Sequence, residues 1–202
     1  FHAPFLKVNP RFKLTTVVTG KSASVHDFDP EIEVVGNAAA ILNDPSIDLV
    51  FVCTPNDSHF SYAKAALKAG KHVVIEKPFA NTTAEADELI QLAEQNNLVL
   101  SAYQNRRWDA DFLTIQQLIN EGAIGEVVEY ESHFDRYRPE VAQGTWKEVA
   151  SSGAGNLYNL GPHLIDQALV LFGVPKNVTA TVKTIRPQGE TDDYCDNRLE
   201  NG

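Results

Sequence analysis

From Phe12 to Tyr103 short apolar runs alternate with stretches whose apolar residues recur at helical spacing, the pattern of βαβ units and a parallel sheet. KLTTVVT predicts a first strand, and LVFVCTP a second that is nearly all apolar, as burial on both faces requires. HVVIEK and LVLSAY complete a four-strand set. Between them, VVGNAAAILNDPSID holds a short helix stopped by Asp44-Pro45. SHFSYAKAALKAG places Tyr62, Ala63, Ala66 and Leu67 on one helical face and ends at Gly70, past a helix C-terminus. NTTAEADELIQLAEQNN carries Thr82 and Glu85 at capping-box spacing and closes near Asn96 and Asn97.

Beyond Arg107 the texture changes. DADFLTIQQLINEG reads as a helix, and EVVEYESHFDRY alternates like a half-exposed antiparallel strand. In GAGNLYNLGPHLIDQALVLFG, Pro162 has no N–H to give, so a helix should begin no more than a turn before it, near Tyr158 or Asn159. NVTATVKTIR and DDYCDNRLENG predict further antiparallel strands. The expected architecture is therefore a Rossmann-type α/β domain over residues 1–105 and part of an α+β domain with an open, mostly antiparallel sheet over 106–202. A Rossmann sheet normally opens with a strand and a G-x-G-x-x-G turn. This chain opens instead on FHAPFLKVNP, which reads as the helix after that turn, so it is expected to be incomplete at both ends.

Composition narrows the partners. At 202 residues and 43% hydrophobic there is material for one core or two small ones. The excess of 27 acidic over 17 basic residues, with no basic stripe, argues against nucleic-acid and anionic-membrane surfaces and favours a small molecule. No apolar run approaches the roughly 18 residues of a membrane span. Of two cysteines, Cys53 lies within an apolar run and reads as a small buried hydrophobe, which suits a reducing, cytoplasmic setting. His2, His26, His72 and His133 have no metal-ligand spacing to a second donor, and no metal is expected.

Ligands of a parallel α/β sheet collect at the carboxyl ends of its strands. Three charged or polar features fall there: CTPNDSH, with Asn56 or Asp57 available as a helix N-cap, then EKP, then YQNRR with Asn105, Arg106 and Arg107. A lone charged residue at a strand end is ordinarily a solvated terminus. Their coincidence at successive strand ends is the signal. After the first strand, VVTGKSAS offers Thr19, Lys21 and Ser22 and no carboxylate, which suits a ribose 2′-phosphate and favours NADP over NAD, although a solvated lysine loop is the alternative.

TPN with His59 following, EKP, QNRR and GNLYNLGPHLIDQAL together resemble the Gfo/Idh/MocA oxidoreductases, which include inositol dehydrogenases, along essentially the whole chain. The resemblance implies a nicotinamide and a sugar or cyclic polyol bound between the two domains, and homo-oligomers of the full-length protein. It implies that Thr54, Pro55, Asn56, His59, Glu76, Lys77, Pro78, Asn105 and Arg106 line the cofactor. Lys77 matches the family's active-site lysine, Pro78 a proline whose peptide bond is often cis, and His163 the acid/base histidine. Asp166, one turn on, would orient His163 or touch substrate, and Trp146 with Lys147 would face nicotinamide or substrate, packing of the indole being the alternative. One departure stands out: Asn159 occupies the place of an aspartate four residues before the histidine, and an amide holds no negative charge beside an imidazolium. A protein of the same fold that binds nucleotide and sugar with weak or no turnover is therefore the second expectation.

Overall fold

The computed structural model describes residues 2–20, 22–142 and 144–201, leaving aside the side chains of Ser22 and Trp146. Five short parallel strands and their helices occupy the first half. Helix α1 (His2–Val8) leads into β1 (Thr16–Val18), α2 (Ser22–Phe28) and β2 (Glu33–Val35). Then come α3 (Ala38–Leu42), β3 (Leu49–Val52), α4 (His59–Lys68), β4 (His72–Glu76), α5 (Thr83–Gln95) and β5 (Leu100–Tyr103). β1 pairs with β2, and β3, β4 and β5 pair in that order, all parallel. β1 and β3 are not hydrogen-bonded to each other.

The core lies between β3, β4 and the helices α4 and α5, where Val52, Ala63, Ala66, Leu67, Val73, Ile75, Leu89 and Ala93 are buried. Leu67 is fully enclosed, so truncating it to alanine would cost about 2–5 kcal/mol. α4 ends in a tight turn in which Gly70 takes φ +76°, a conformation a side chain would strain. α5 begins with the full capping box: the Thr82 hydroxyl accepts from Glu85 N, and the Glu85 carboxylate accepts from Thr82 N. These two devices fix where β4 begins and where the chain goes after it ends.

The second half contains α6 (Ala110–Asn120), α7 (Gly155–Asn159), α8 (Gly161–Phe172) and the antiparallel pair β6 (Asn177–Lys183) and β7 (Tyr194–Glu200). Among the described residues no helix is long and apolar enough to cross a membrane.

Several expectations need correction. β2 and α2 were not anticipated, because three strand residues and one seven-residue helix carry too little periodicity to stand out. EVVEYESHFDRY forms no ladder, since β6 takes only β7 as partner; its alternation is nonetheless real, with Tyr130, Ser132 and Phe134 turned inward and their neighbours exposed. Tyr130 meets Phe172 with ring centroids 5.4 Å apart. Tyr62 is 42% exposed beside the buried Ala63, Ala66 and Leu67. Cys53 is exposed, because β3 ends one residue before it and leaves it at the open strand edge. The stretch from Gly155 to Phe172 is two helices and not one: Leu160 separates them, and α8 starts at Gly161, within a turn of Pro162 but later than Tyr158 or Asn159.

Candidate active site

The register of the three-stranded sheet sets Val52 beside Ile75 and Glu76 beside Tyr103, so the turns that follow β3, β4 and β5 emerge side by side. The middle turn carries Lys77, and the Lys77–Pro78 peptide is cis. Glu76 and Lys77, adjacent in sequence, reach in different directions. Glu76 accepts from Lys77 N at 3.2 Å and pairs with His2 Nε2 at 2.8 Å. Bonds with the Cys53 thiol and the Glu76 carboxylate push His2 up to about 9, so it is charged at neutral pH. Burial pushes the Glu76 carboxyl up, but His2 and the Lys77 N–H outweigh it and leave it below its ordinary value.

Lys77 reaches into the second half of the chain. Its Nζ donates to the carbonyl oxygen of Asn159 at 2.6 Å and to Asn159 Oδ1 at 3.1 Å. Two of its three N–H groups are thereby used and one is left for a ligand. Burial lowers its pKa, Glu76 opposes the shift, and the cations Lys147 and Arg106 add to it. One residue past Pro162, His163 is 7% exposed, and its Nδ1 is buried with no hydrogen-bond partner. Burial, then the charges of Lys77 and Arg106, push His163 down to about 4, so it is neutral at physiological pH. A structural histidine here would be satisfied by Asp166 or Gln167, yet both are engaged elsewhere. Asp166 takes a two-pronged ion pair from Arg107, at 2.6 and 2.8 Å, and Gln167 donates to the carbonyl of Arg106 at 2.9 Å.

Arg106 pairs with Asp109 at 2.8 Å, stands 4.9 Å over the ring of Phe134 and keeps a buried, unpartnered Nε. Phe134 presents itself edge-on to His163, 6.5 Å between centroids. Gln104 Oε1, just past β5, is a second buried acceptor with no partner. Orphaned polar atoms of this kind are uncommon in folded proteins. Here they gather where the strand ends meet α8.

Other expected site residues make hydrogen bonds within the protein. Asn56 is not an N-cap: its buried amide donates to the carbonyl of Gly153 at 2.7 Å, across 97 residues. His59 is 1% exposed, with Nδ1 at 2.8 Å from the carbonyl of Pro78 and Nε2 at 2.8 Å from that of Thr54. Asp166, bound by Arg107, does not orient His163. The Thr54 hydroxyl accepts from Ser58 at 2.7 Å, and Pro55 and Asn105 lie in the same turns. Thr19 is half-buried after β1, while Lys21 lies outside the described residues, as do the side chains of Ser22 and Trp146. Residues not anticipated are Asn81, which donates to Ser152 O at 3.3 Å, and Tyr158, which donates to Asn81 O at 3.1 Å. Each matters through a partner distant in sequence.

Comparisons with known proteins identify the family. Residues 1–104 match a model described as an oxidoreductase family with an NAD-binding Rossmann fold, and 112–201 match a GFO/IDH/MocA C-terminal domain. Uncharacterized oxidoreductase YdgJ of Escherichia coli is 46% identical over 194 residues, 96% of this chain and 56% of that protein. The scyllo-inositol 2-dehydrogenase (NADP(+)) IolW of Bacillus subtilis is 44% identical over 202 residues, 100% of this chain and 56% of IolW. The solved structure of yvaA from Bacillus subtilis superposes with a TM-score of 0.93 at 43% identity, covering 100% of this chain and 57% of that one. This chain thus spans little more than half the length of the relatives it matches. With both family models matched in order along nearly its whole length, the chain belongs to the Gfo/Idh/MocA family of NAD-binding oxidoreductases.

Proposed function

We propose that the protein transfers hydride between a nicotinamide dinucleotide, NADP in preference to NAD, and a hydroxyl-bearing or ketone carbon of a sugar or inositol-like cyclic polyol. The observation that carries this reading is the unpartnered, buried Nδ1 of His163 beside a lysine with one N–H to spare, at the strand ends where such a ligand belongs. The three turns suit a dinucleotide: Thr54, Pro55, Glu76, Pro78, Asn105 and Arg106 lie in them or at their edges, with the unpartnered Gln104 acceptor oxygen among them. When bound, the nicotinamide gives or takes the hydride.

The chain's own residues manage the oxygen and its proton. In the oxidising direction the free N–H of Lys77 donates to the substrate oxygen and holds it in place. His163, neutral over the physiological range, accepts the hydroxyl proton, and the neighbouring lysine and arginine charges return it readily in the reducing direction. Phe134 and the burial of His163 keep bulk water from the ring. NADP is favoured by the carboxylate-free run with Thr19, Lys21 and Ser22 and by the cofactor named for IolW, and the polyol by the substrate named for IolW.

Asn159 favours a second reading, a binding protein without turnover, because its amide cannot supply the negative charge of the family's aspartate. The two separate on mixing the full-length protein with NADP(H) or NAD(H) and a panel of polyols and their ketones, followed by nicotinamide fluorescence and absorbance. Turnover with NADP(H) preferred supports the enzyme. Cofactor and polyol binding with no turnover from pH 6 to 10 would replace it with the binding protein.

A further inference from the structure

The connection from β6 to β7 lies outside the strand ends, yet it grips both segments that complete the site. On one side Asp192 receives the first turn of α7. Its carbonyl accepts from Asn156 N at 2.9 Å, and its carboxylate accepts from Leu157 N at 2.7 Å. The carbonyl of Asp193 takes the Asn156 side chain at 3.3 Å. This approach is close enough to demand a glycine, for Gly155 is buried at φ +88° and a Cβ there would overlap the Asp192 carboxylate. Cys195 donates its thiol to the same carboxylate at 3.2 Å, and burial together with that carboxylate pushes the thiol up to about 12. α7 is only five residues long and ends on Asn159, whose carbonyl and amide oxygens hold Lys77.

On the other side, the Asp193 carboxylate is 5% exposed and takes the N–H groups of Ile185 and Arg186, at 2.7 and 3.0 Å, and Arg186 Nε at 2.8 Å. The rest of the guanidinium grips both oxygens of Glu148, at 2.8 and 3.1 Å, and the carbonyl of Glu140 at 3.3 Å. Glu148 follows Lys147 directly, and the Thr191 hydroxyl donates to the Lys147 carbonyl at 3.5 Å. Lys147 is one of the cations that depress Lys77.

We propose that Asp192, Asp193 and Arg186 are positioning residues of the active site, a brace that holds Asn159 and the loop carrying Lys147 against Lys77. It rests on the oxidoreductase reading for its kinetic consequence and on geometry alone for its structural one. The carboxylate of Asp192 sets the start of α7, and a helix is stiff, so a shift at Leu157 arrives at Asn159 half a turn later; it passes to His163 on α8 through Leu160, whose N–H bonds the Asn156 carbonyl and whose carbonyl accepts from His163 N. Misplacement of a catalytic group by about 1 Å costs on the order of 100-fold in rate.

The test compares Asp192→Ala with Asp192→Asn, which can still accept from Leu157 N, and with Arg186→Gln. In the full-length protein Asp192→Ala is expected to lower kcat by about tenfold or more. Dinucleotide Kd should stay within about twofold, since the cofactor's residues lie in the other half, and the asparagine variant should recover most of the rate. In this chain, side-chain NMR of His163 should show its titration climbing from about 4 towards the ordinary value of about 6.5 in Asp192→Ala as water reaches the ring. Arg186→Gln should raise the titration of the Lys77 amine by releasing Lys147. Should the wild type turn over nothing, the oxidoreductase reading fails while the two titrations still decide the brace. Unchanged titrations in folded variants overturn it, as does a loss of dinucleotide affinity equal to the loss of kcat.

Discussion

Glu76 and Lys77 are consecutive, yet the regions they face could hardly differ more. On the Glu76 side a histidine is held charged: His2 has a carboxylate at 2.8 Å and rings on two sides, Phe51 at 5.0 Å and Tyr103 at 4.2 Å. On the Lys77 side a histidine is held neutral, with cations near it, a buried Nδ1 unmatched and one lysine proton unspent. The first region is closed and self-satisfied; the second has polar capacity left over. That difference separates support from chemistry better than residue type does, since both regions consist of a histidine and the charged end of one strand.

The sharpest way to break the comparison is to remove the charge on the open side. Lys77→Ala in the full-length protein should reduce kcat by about 100-fold or more, while dinucleotide Kd moves less than about threefold. Unaltered kcat would return EKP to the role of a strand terminus. Next in size is an acid-side effect on stability. His163 binds its proton near pH 4 folded and near 6.5 unfolded, so the unfolded state gains protons first as pH falls. Stability should therefore drop between about pH 6.5 and 4, by roughly 3 kcal/mol at the lower end. Urea unfolding of His163→Leu should lack that part of the slope.

The closed side predicts the mirror image at alkaline pH. His2 is raised to about 9, so its contribution is complete below about pH 6.5 and is lost as pH rises through 9. Its loss should amount to about 1 kcal/mol, seen as a smaller difference between wild type and His2→Ala at pH 10 than at pH 6. An equal difference at both would show that the pair with Glu76 carries no weight. The smallest effect is expected at the boundary between the two regions. Asn159→Asp, by placing a carboxylate beside Lys77 and near His163, should raise the titration of His163 and shift the pH profile of kcat upward, with a change in rate of about threefold to tenfold. No movement of either would leave Asn159 to its carbonyl contact alone.

What the sequence made legible was the part written in local pattern. The capping box at Thr82 and Glu85, the turn at Gly70, the buried face of Ala63, Ala66 and Leu67, and the motif residues Lys77 and His163 follow from spacing or from a recognisable order of residues. Partner choice was not legible. TPN suggested a capping or ligand-binding asparagine, but Asn56 finds Gly153, and Asp166 finds Arg107 59 residues away. Both are decided by how α8 and the segment before it settle on the strand ends. The stretch from Val127 to Phe134 shows the same limit: period-two alternation states which side chains turn inward, and a ladder needs a neighbour that periodicity does not name.

His59 joins, through one imidazole, the carbonyl of Thr54 at the start of the turn after β3 to the carbonyl of Pro78 after β4. The turn of the expected cofactor floor and the turn of the reactive lysine are therefore a single mechanical body. A change that remodels one for a different dinucleotide drags the other with it. For redesign of cofactor choice, substitutions at residues 54 to 56 would be selected together with compensations near 77 to 79.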